Sequence, residues 1–113
     1  MKQYALIFRH PDGSKIASPE QIQAWMKATG DWLNEIAKQG KYDGESGGFM
    51  FNEAKVVHHG NMVTDGPFGK TNETLGGYVI VKADSIDEAV EFAKGSPVLA
   101  GENNTVEVRL LAR

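Results

Sequence analysis

The spacing of hydrophobic and polar residues predicts three main strands in this chain. Residues 4–8 form a short apolar run of strand-forming types that ends at the turn signal Pro11-Asp12-Gly13. Residues 77–83 form a second run, whose near-continuous apolarity predicts burial on both faces, or burial on one face and a subunit interface on the other. Residues 105–111 alternate in polarity and predict a final, half-buried strand.

A long helix is predicted after the first strand. Ser18 is its N-cap, Pro19 takes the first helical position, and Gln21 completes a capping box. Gly40 ends the helix in a left-handed conformation, and Gly30 in the interior costs about 1 kcal/mol relative to alanine. The apolar positions recur at i, i+3, i+4 spacing, which predicts that they pack in the core, the two tryptophans included. They are Ile22, Trp25, Met26, Thr29, Trp32, Leu33, Ile36 and Ala37.

The middle of the chain predicts a weak strand and a hairpin. We expect a short strand within residues 41–45, just where a glycine-rich stretch begins. Residues 54–58 and 62–64 flank Gly60-Asn61, a pair suited to a tight turn with positive φ, and therefore predict a small hairpin. A shorter helix follows the second main strand, because Ser85 and Glu88 form a capping box and Gly95-Ser96-Pro97 ends the apolar periodicity.

This order of elements predicts an α+β fold of the ferredoxin-like βαββαβ type with an inserted β-hairpin. Two helices cover only one face of the antiparallel sheet, so the other face must remain exposed to solvent, bind a ligand or pack against the sheet of a partner subunit. We expect a homodimer that buries the sheet face opposite Trp25, Trp32 and Val90, because residues 78–81 would otherwise expose a large apolar patch.

Composition narrows the functional classes. The 113 residues suit one domain, residues 1–113, and the net charge of −3 without a Lys/Arg run disfavours nucleic-acid binding. The absence of cysteine excludes disulfides and thiolate chemistry and fits the cytoplasm. No apolar run approaches the roughly 20 residues that a membrane span requires, so we expect no membrane association.

Residues 63–78 hold the strongest candidate site. Gly66-Pro67 forms a rigid corner that presents Asp65 and Phe68, and Gly76-Gly77 lets the backbone pass close to another element before Tyr78. Asp65 is our candidate catalytic acid or base, because apolar walls would make its charge costly. The alternative is that Asp65 only fixes its own turn by accepting backbone N–H bonds.

The other candidates are ligand-binding residues, and among them the rings of Phe68 and Tyr78 are expected to line a cleft together with Asp65. Lys70 and Glu73 could supply a cation and an acid at the mouth of a cleft, although Glu73 could instead cap a one-turn helix. His10 at the end of the first strand is a further candidate. His58-His59 cannot chelate one metal, because adjacent residues on a strand point to opposite faces, so no metal is expected. No phosphate-binding loop is present, so no nucleotide cofactor is expected.

Several of these residues carry a family resemblance over nearly the whole chain. The motif Asp65-Gly66-Pro67-Phe68, then Gly76-Gly77-Tyr78 and the closing residues 106–109, resemble YCII-related proteins of the DGPF type. The resemblance implies a dimeric α+β barrel with a cleft in each half. Related domains carry a histidine in the first helix and an aspartate after the second, where this chain has Trp25 and Gly95-Ser96-Pro97.

Two functions follow as hypotheses. The first is binding of a small organic molecule in a cleft, with acid–base chemistry of the lyase type. The alternative is a non-catalytic module that senses a ligand or binds another protein, loosely associated with transcription regulation. A concave, partly apolar pocket around Asp65 would favour the enzyme.

Overall fold

The computed structural model describes residues 1–10, 18–50, 53–66 and 74–113. Two short 3₁₀ turns, at His59–Asn61 and Pro97–Ala100, complete its helical structure in these ranges. The strands and helices in chain order are β1 (Lys2–His10), α1 (Pro19–Lys38), β2 (Tyr42–Gly48), β3 (Lys55–Val57), β4 (Val63–Asp65), β5 (Thr74–Ala83), α2 (Ile86–Lys94) and β6 (Thr105–Leu110).

The main sheet has four strands in the order β2-β5-β1-β6, and all its neighbours are antiparallel. This order, with one helix after β1 and one after β5, confirms the predicted ferredoxin-like α+β fold. β3 and β4 form a separate two-stranded hairpin that connects through a turn with Gly60 and Asn61 at positive φ. The inserted hairpin and its turn residues were therefore predicted correctly.

One face of the sheet carries the core. Cross-strand partners share a face, so Tyr4 and Leu6 of β1 stand beside Val81 and Val79 of β5 on the helix side. Leu6 and Val81 have no exposed surface, and Ile36 of α1 is 2% exposed. These side chains form the centre of the hydrophobic cluster between the sheet and the helices.

The helix ends follow the predicted capping pattern. Ser18 Oγ accepts a hydrogen bond of 3.1 Å from Gln21 N, and Ser85 Oγ accepts one of 3.2 Å from Glu88 N. Gly40 follows the last residues of α1 with a φ of 70°, which fits a left-handed cap. Glu88 also bonds Lys41 Nζ at 2.5 Å, and this hydrogen bond, together with one from Asp84 N, lowers the pKa of the Glu88 carboxyl.

The prediction that the whole α1 stripe is core was wrong for its first half. Ile22, Trp25 and Met26 are 45%, 52% and 69% exposed, whereas Trp32 is half-buried and Ile36 is buried. Among the described residues, the hydrophobic cluster contains α1 side chains only from its C-terminal half, whereas residues 19–27 are all exposed. Periodicity identified the apolar face of the helix, but the extent of the surface beneath it depends on tertiary structure.

The glycine-rich stretch forms more strand than predicted. β2 extends to Gly48 and pairs with β5 through a register shift between Tyr42 and Ser46. Gly44, at a φ of 78°, lies in this irregular part. Glycine has a low strand propensity, but β2 pairs with β5, whose residues 78–81 are of types with high strand propensity, and this pairing extends the strand.

The open face of the sheet is less apolar than the sequence suggested. Val79 and Val81 face the helices. Ile80 faces the open side, but it is buried in the single chain, with only 4% of its surface exposed. An ion pair of 2.6 Å between Arg9 and Glu107 also lies on this face. The homodimer itself stays a prediction, but a large exposed patch at residues 78–81 no longer supports it.

Candidate functional site

A cleft of about 320 Å³ opens on the helix side of the sheet, at the end where β1 finishes. Its walls come from β1, α1 and the 3₁₀ turn at Pro97–Ala100, and its floor comes from glycine-rich parts of β2 and β5. The lining residues are Phe8, His10, Thr29, Trp32, Leu33, Ser46, Gly47, Gly48, Gly76, Gly77, Tyr78, Val79, Ser96 and Val98.

His10 is held at this cleft by a β-bulge. Phe8 pairs with Gly77 and Arg9 with Leu75, so Gly76 is an extra residue on β5 with no partner in the β1 register. A Cβ added to Gly76 would overlap His10 Nε2 and Cδ2. The imidazole therefore occupies the space that a side chain at position 76 would take.

Gly77 allows a second close approach, between the backbones of β5 and β2. A Cβ at position 77 would lie 2.6 Å from the carbonyl oxygen of Gly47, a distance that real Cβ atoms do not adopt. Phe49 N donates to the carbonyl of Gly76 at 2.9 Å and holds the end of β2 against β5. The predicted role of Gly76-Gly77, to let the backbone pass close to another element, is confirmed.

Trp32 forms the aromatic wall of the cleft. Its Nε1 donates a hydrogen bond of 2.9 Å to the carbonyl of Phe92 in α2, and its ring packs 6.0 Å from the ring of Phe8. The indole thus has its polar edge satisfied and its orientation fixed, which is usual for a half-buried tryptophan. The helix spacing of Trp32 predicted core packing, and the structure adds that the same side chain also borders a cavity.

The polar side chains among the described lining residues are mainly hydroxyls, together with one imidazole. Thr29, Ser46 and Ser96 contribute hydroxyl-bearing side chains, and Ser46 Oγ also shares a hydrogen bond of 2.8 Å with the Tyr42 hydroxyl. None of the described lining residues is an aspartate, glutamate, lysine or arginine. Among the described lining residues, His10 carries the imidazole, the side chain that most often acts as a general acid or base in proteins.

Tyr78 borders the cleft, but its ring points elsewhere. Tyr78 pairs with Ile7 and Gly47, positions on the open face of the sheet. Its Cε1 would lie 3.3 Å from a Cβ at Gly47, and its ring centroid is 6.1 Å from that of Phe49. The structure therefore brings Tyr78 and His10 to the same region on opposite faces of β5 and β1.

Asp65 lies on the hairpin and is not among the lining residues of the cleft. Its carboxylate forms an ion pair of 2.5 Å with Lys55 Nζ across the β3–β4 ladder, and its side chain is 88% exposed. Of the residues that the sequence argument placed at one cleft, His10 and Tyr78 border the described cavity. The candidates Phe68, Lys70 and Glu73 lie outside the described residues.

The remaining histidines belong to the hairpin. His58 Nε2 shares a hydrogen bond of 2.8 Å with Thr64 Oγ1, and His59 begins the 3₁₀ turn. Within the described ranges, no group of three or more metal-ligating side chains comes together. A larger hollow of about 540 Å³ is lined by α1 alone and brings no groups together from different elements.

Sequence reasoning missed most of the cleft. His10 was a candidate, but Trp32 was assigned to the core and Ser96 was interpreted as part of a helix stop. The available signal was the glycine pairs, Gly47-Gly48 and Gly76-Gly77. Two strands that both lack side chains where they meet leave space above the sheet.

In the described part of the chain, neither helix has the length and apolarity needed to cross a membrane.

A solved structure with a similar fold is 5-chloro-2-hydroxyhydroquinone dehydrochlorinase (TftG) from Burkholderia phenoliruptrix AC1100, in complex with 2,5-dihydroxybenzoquinone. The likeness has a TM-score of 0.47 at 17% sequence identity and covers 94% of this chain and 90% of that chain.

Sequence comparison gives a family. Uncharacterized protein R00369 of Rhizobium meliloti (strain 1021) is 39% identical over 51 residues, which are 45% of this chain, and the match spans only 41% of that relative's length. The family model of the YCII-related domain matches residues 3–112. Because this match covers almost the whole chain, the protein belongs to the YCII-related domain family.

Proposed function

We propose that this protein binds a small, uncharged organic molecule in the cleft beside His10, and that the imidazole transfers a proton to or from it. The observation that carries the proposal is the combination of an apolar, concave cavity with one imidazole seated at its edge. A cavity of about 320 Å³ lies at the small end of the range for ligand sites, so the ligand is small.

The lining decides the polarity of the ligand. A carboxylate or ammonium group would enter without a counter-charge from the described lining residues, and an unpaired charge is costly to remove from water. Hydroxyl or carbonyl groups on the ligand would instead match Thr29, Ser46 and Ser96. The aromatic wall of Phe8 and Trp32 suits an apolar ring or chain.

Proton transfer needs a side chain that can accept and donate a proton, and histidine is the residue that most often does this in enzymes. The Tyr78 ring lies on the opposite face of the sheet, so His10 takes the acid–base role that the sequence argument gave to Asp65. An elimination of the lyase type can begin with removal of a proton next to a carbonyl group, which stabilises the resulting carbanion as an enolate. The geometry supports a base for that step, and we assign it to His10.

Two matched probes test the proposal. Cyclohexanone and phenol should each shift the His10 ring and Gly76 amide signals in heteronuclear NMR, and Gly48→Leu should weaken these shifts by filling the floor of the cleft. Gly30→Ala is the control, because no atom lies within 4 Å of its added methyl. If neither probe perturbs His10 at millimolar concentration, cleft binding is refuted.

The same titration separates the two candidate functions. An acid–base site should accelerate exchange of the cyclohexanone α-protons for deuterium in D₂O, and His10→Gln should abolish this acceleration while the probe still binds. Binding without exchange in the parent protein would exclude the enzyme and leave the alternative, a non-catalytic ligand-sensing module. That alternative is supported by Trp25 at the helix position where related domains carry histidine.

A further inference from the structure

Ser46 stands beside Tyr42 because of a bulge in β2. Tyr42 pairs with Val81 of β5. Ser46, four residues later in β2, pairs with Val79, which is only two residues away from Val81. Three residues of β2 therefore lie opposite one residue of β5, and Gly44 with its φ of 78° is one of the three. The bulge shortens the separation of Tyr42 and Ser46, which would be about 13 Å in a regular strand. Their hydroxyl oxygens lie 2.8 Å apart.

The core holds Tyr42 in place. Its partner Val81 faces the helices, so the Tyr42 ring also lies on the helix side, where it packs against the hydrophobic cluster. A phenol hydroxyl is a stronger hydrogen-bond donor than an aliphatic hydroxyl, so we assign Tyr42 as the donor of this pair and Ser46 Oγ as the acceptor. A serine hydroxyl has one proton, and the proton of Ser46 is then directed away from Tyr42.

Ser46 and His10 lie at opposite ends of the glycine floor of the cleft. The next residue of β2 on the same face as Ser46 is Gly48, which pairs with Gly77 of β5. Beyond this pair, the His10 ring covers Gly76. Both Ser46 and His10 line the cleft. A ligand that lies on the glycine floor therefore meets a hydroxyl group at one end and the imidazole at the other.

The other two hydroxyl-bearing lining residues named above are less suited to donate to a ligand. Ser96 is only 6% exposed, and its Oγ accepts a hydrogen bond of 3.4 Å from Val98 N. Thr29 belongs to α1, and a threonine in a helix often donates its hydroxyl proton to the carbonyl one turn earlier. Ser46 is exposed, and its bond with Tyr42 occupies an acceptor site and leaves the proton for the ligand.

We propose that the ligand of the cleft is a carbonyl compound, that the Ser46 hydroxyl donates a hydrogen bond to its carbonyl oxygen, and that Tyr42 positions this hydroxyl. Tyr42 is not among the described lining residues, so it acts through Ser46. The inference rests on the proposed function, to which it adds a ligand class and an orientation. The carbonyl oxygen lies at Ser46, and the carbon that carries the transferable proton lies towards His10.

Cyclohexanone labelled with ¹³C at its carbonyl carbon tests the role of Ser46. A hydrogen-bonded carbonyl carbon resonates further downfield than a free one, so Ser46→Ala should move the signal of the bound ketone upfield. The Kd for cyclohexanone, measured from the shifts of the His10 ring, should rise roughly twofold to tenfold for the loss of one hydrogen bond. Ser46→Thr retains a hydroxyl and should keep the carbonyl signal of the parent protein. Circular dichroism verifies that each variant is folded.

Tyr42→Phe tests the positioning role. It keeps the ring that packs in the core and removes only the hydroxyl. The carbonyl signal should move upfield by less than in Ser46→Ala, because Ser46 retains its proton but loses its fixed orientation. Tyr78→Phe is the matched control, since the Tyr78 ring lies on the opposite face of the sheet, and it should leave the signal unchanged. A signal that does not move in Tyr42→Phe would overturn the positioning role.

The outcomes separate the role of Ser46 from the proposed function. If cyclohexanone at millimolar concentration leaves the His10 signals of the parent protein unchanged, cleft binding is refuted, and the role of Ser46 with it. If cyclohexanone shifts the His10 signals but its carbonyl signal is the same in the parent and in Ser46→Ala, only the role of Ser46 is refuted. An upfield shift caused by Thr29→Val or Ser96→Ala, and not by Ser46→Ala, would also overturn the assignment.

Discussion

Gly77→Ala is expected to destabilise the protein by forcing β2 away from β5 beneath the cleft. The new methyl group would begin 2.6 Å from the carbonyl oxygen of Gly47, whereas comfortable C···O contacts are about 3.3–3.6 Å. The strands must therefore separate by roughly 0.7 Å or more. Neither group is the end of a flexible side chain, so the ladder between Gly48 and Gly77 has to distort.

The magnitude follows from two opposing effects. Overpacking a well-formed contact costs about 1–3 kcal/mol. Replacing glycine with alanine restricts the unfolded chain and returns about 0.4–1 kcal/mol. The net loss for Gly77→Ala is therefore centred on about 1.3 kcal/mol, within limits of about 0–2.6 kcal/mol, and the central value corresponds to a fall in Tm of roughly 5 °C for a domain of this size.

Urea unfolding followed by tryptophan fluorescence measures the effect, and Gly48→Ala is the control. Gly48 lies opposite Gly77 on β2, but its added methyl would be 3.8 Å from the nearest backbone oxygen, an ordinary contact. Gly48→Ala should therefore keep the stability of the parent protein within about 0.5 kcal/mol. Equal stability of the two variants would refute the argument that backbone proximity requires glycine at position 77.

Three further substitutions test other parts of the structure. Gly76→Ala should displace the His10 ring, which NMR would detect as loss of contacts between the ring and residue 76, because the new methyl occupies the position of the imidazole. Gly30→Ala should raise stability by about 0.5–1 kcal/mol in urea unfolding, because the added methyl in the helix meets no atom within 4 Å. Glu88→Gln should reduce stability at neutral pH, because the hydrogen bond from Lys41 lowers the pKa of the Glu88 carboxyl in the folded protein. A carboxyl whose pKa is lower in the folded than in the unfolded protein stabilises the fold at pH values above its unfolded pKa. This stabilisation is lost as the pH falls through the folded pKa. The difference between parent and Glu88→Gln should therefore shrink with falling pH below about 4.5, and a constant difference down to pH 2 would contradict the assignment.

The fold was largely predictable because its signals are local. Capping by Ser18 and Ser85, the turn at Gly60-Asn61 and the apolar runs of β1 and β5 each depend on a few neighbouring residues. The length of the strand in the glycine-rich segment was underestimated because its signal is not local. β2 depends on pairing with β5, which lies about thirty residues later in the chain and is invisible to a local pattern.

The site was less predictable, because this cleft forms where glycines leave the sheet surface without side chains. Asp65, Pro67 and Phe68 stand out in the sequence through their chemistry and their turn geometry. The cleft instead depends on Gly76, which leaves room for His10, and on the placement of Thr29, Trp32 and Leu33 of α1 along its wall. These two properties are set by strand register and helix placement, which residue chemistry alone does not reveal.

The placement of α1 links the wrong core prediction to the existence of the cleft. The cleft lies where the buried half of α1 meets its exposed half: Thr29, Trp32 and Leu33 line it, and the exposed Trp25 and Met26 lie one to two turns before them. A helix lying along the sheet for its whole length would cover the glycine floor and fill this space with its own apolar side chains. The cavity beside His10 therefore coincides with the point along α1 where its apolar face changes from exposed, at Trp25, to half-buried, at Trp32.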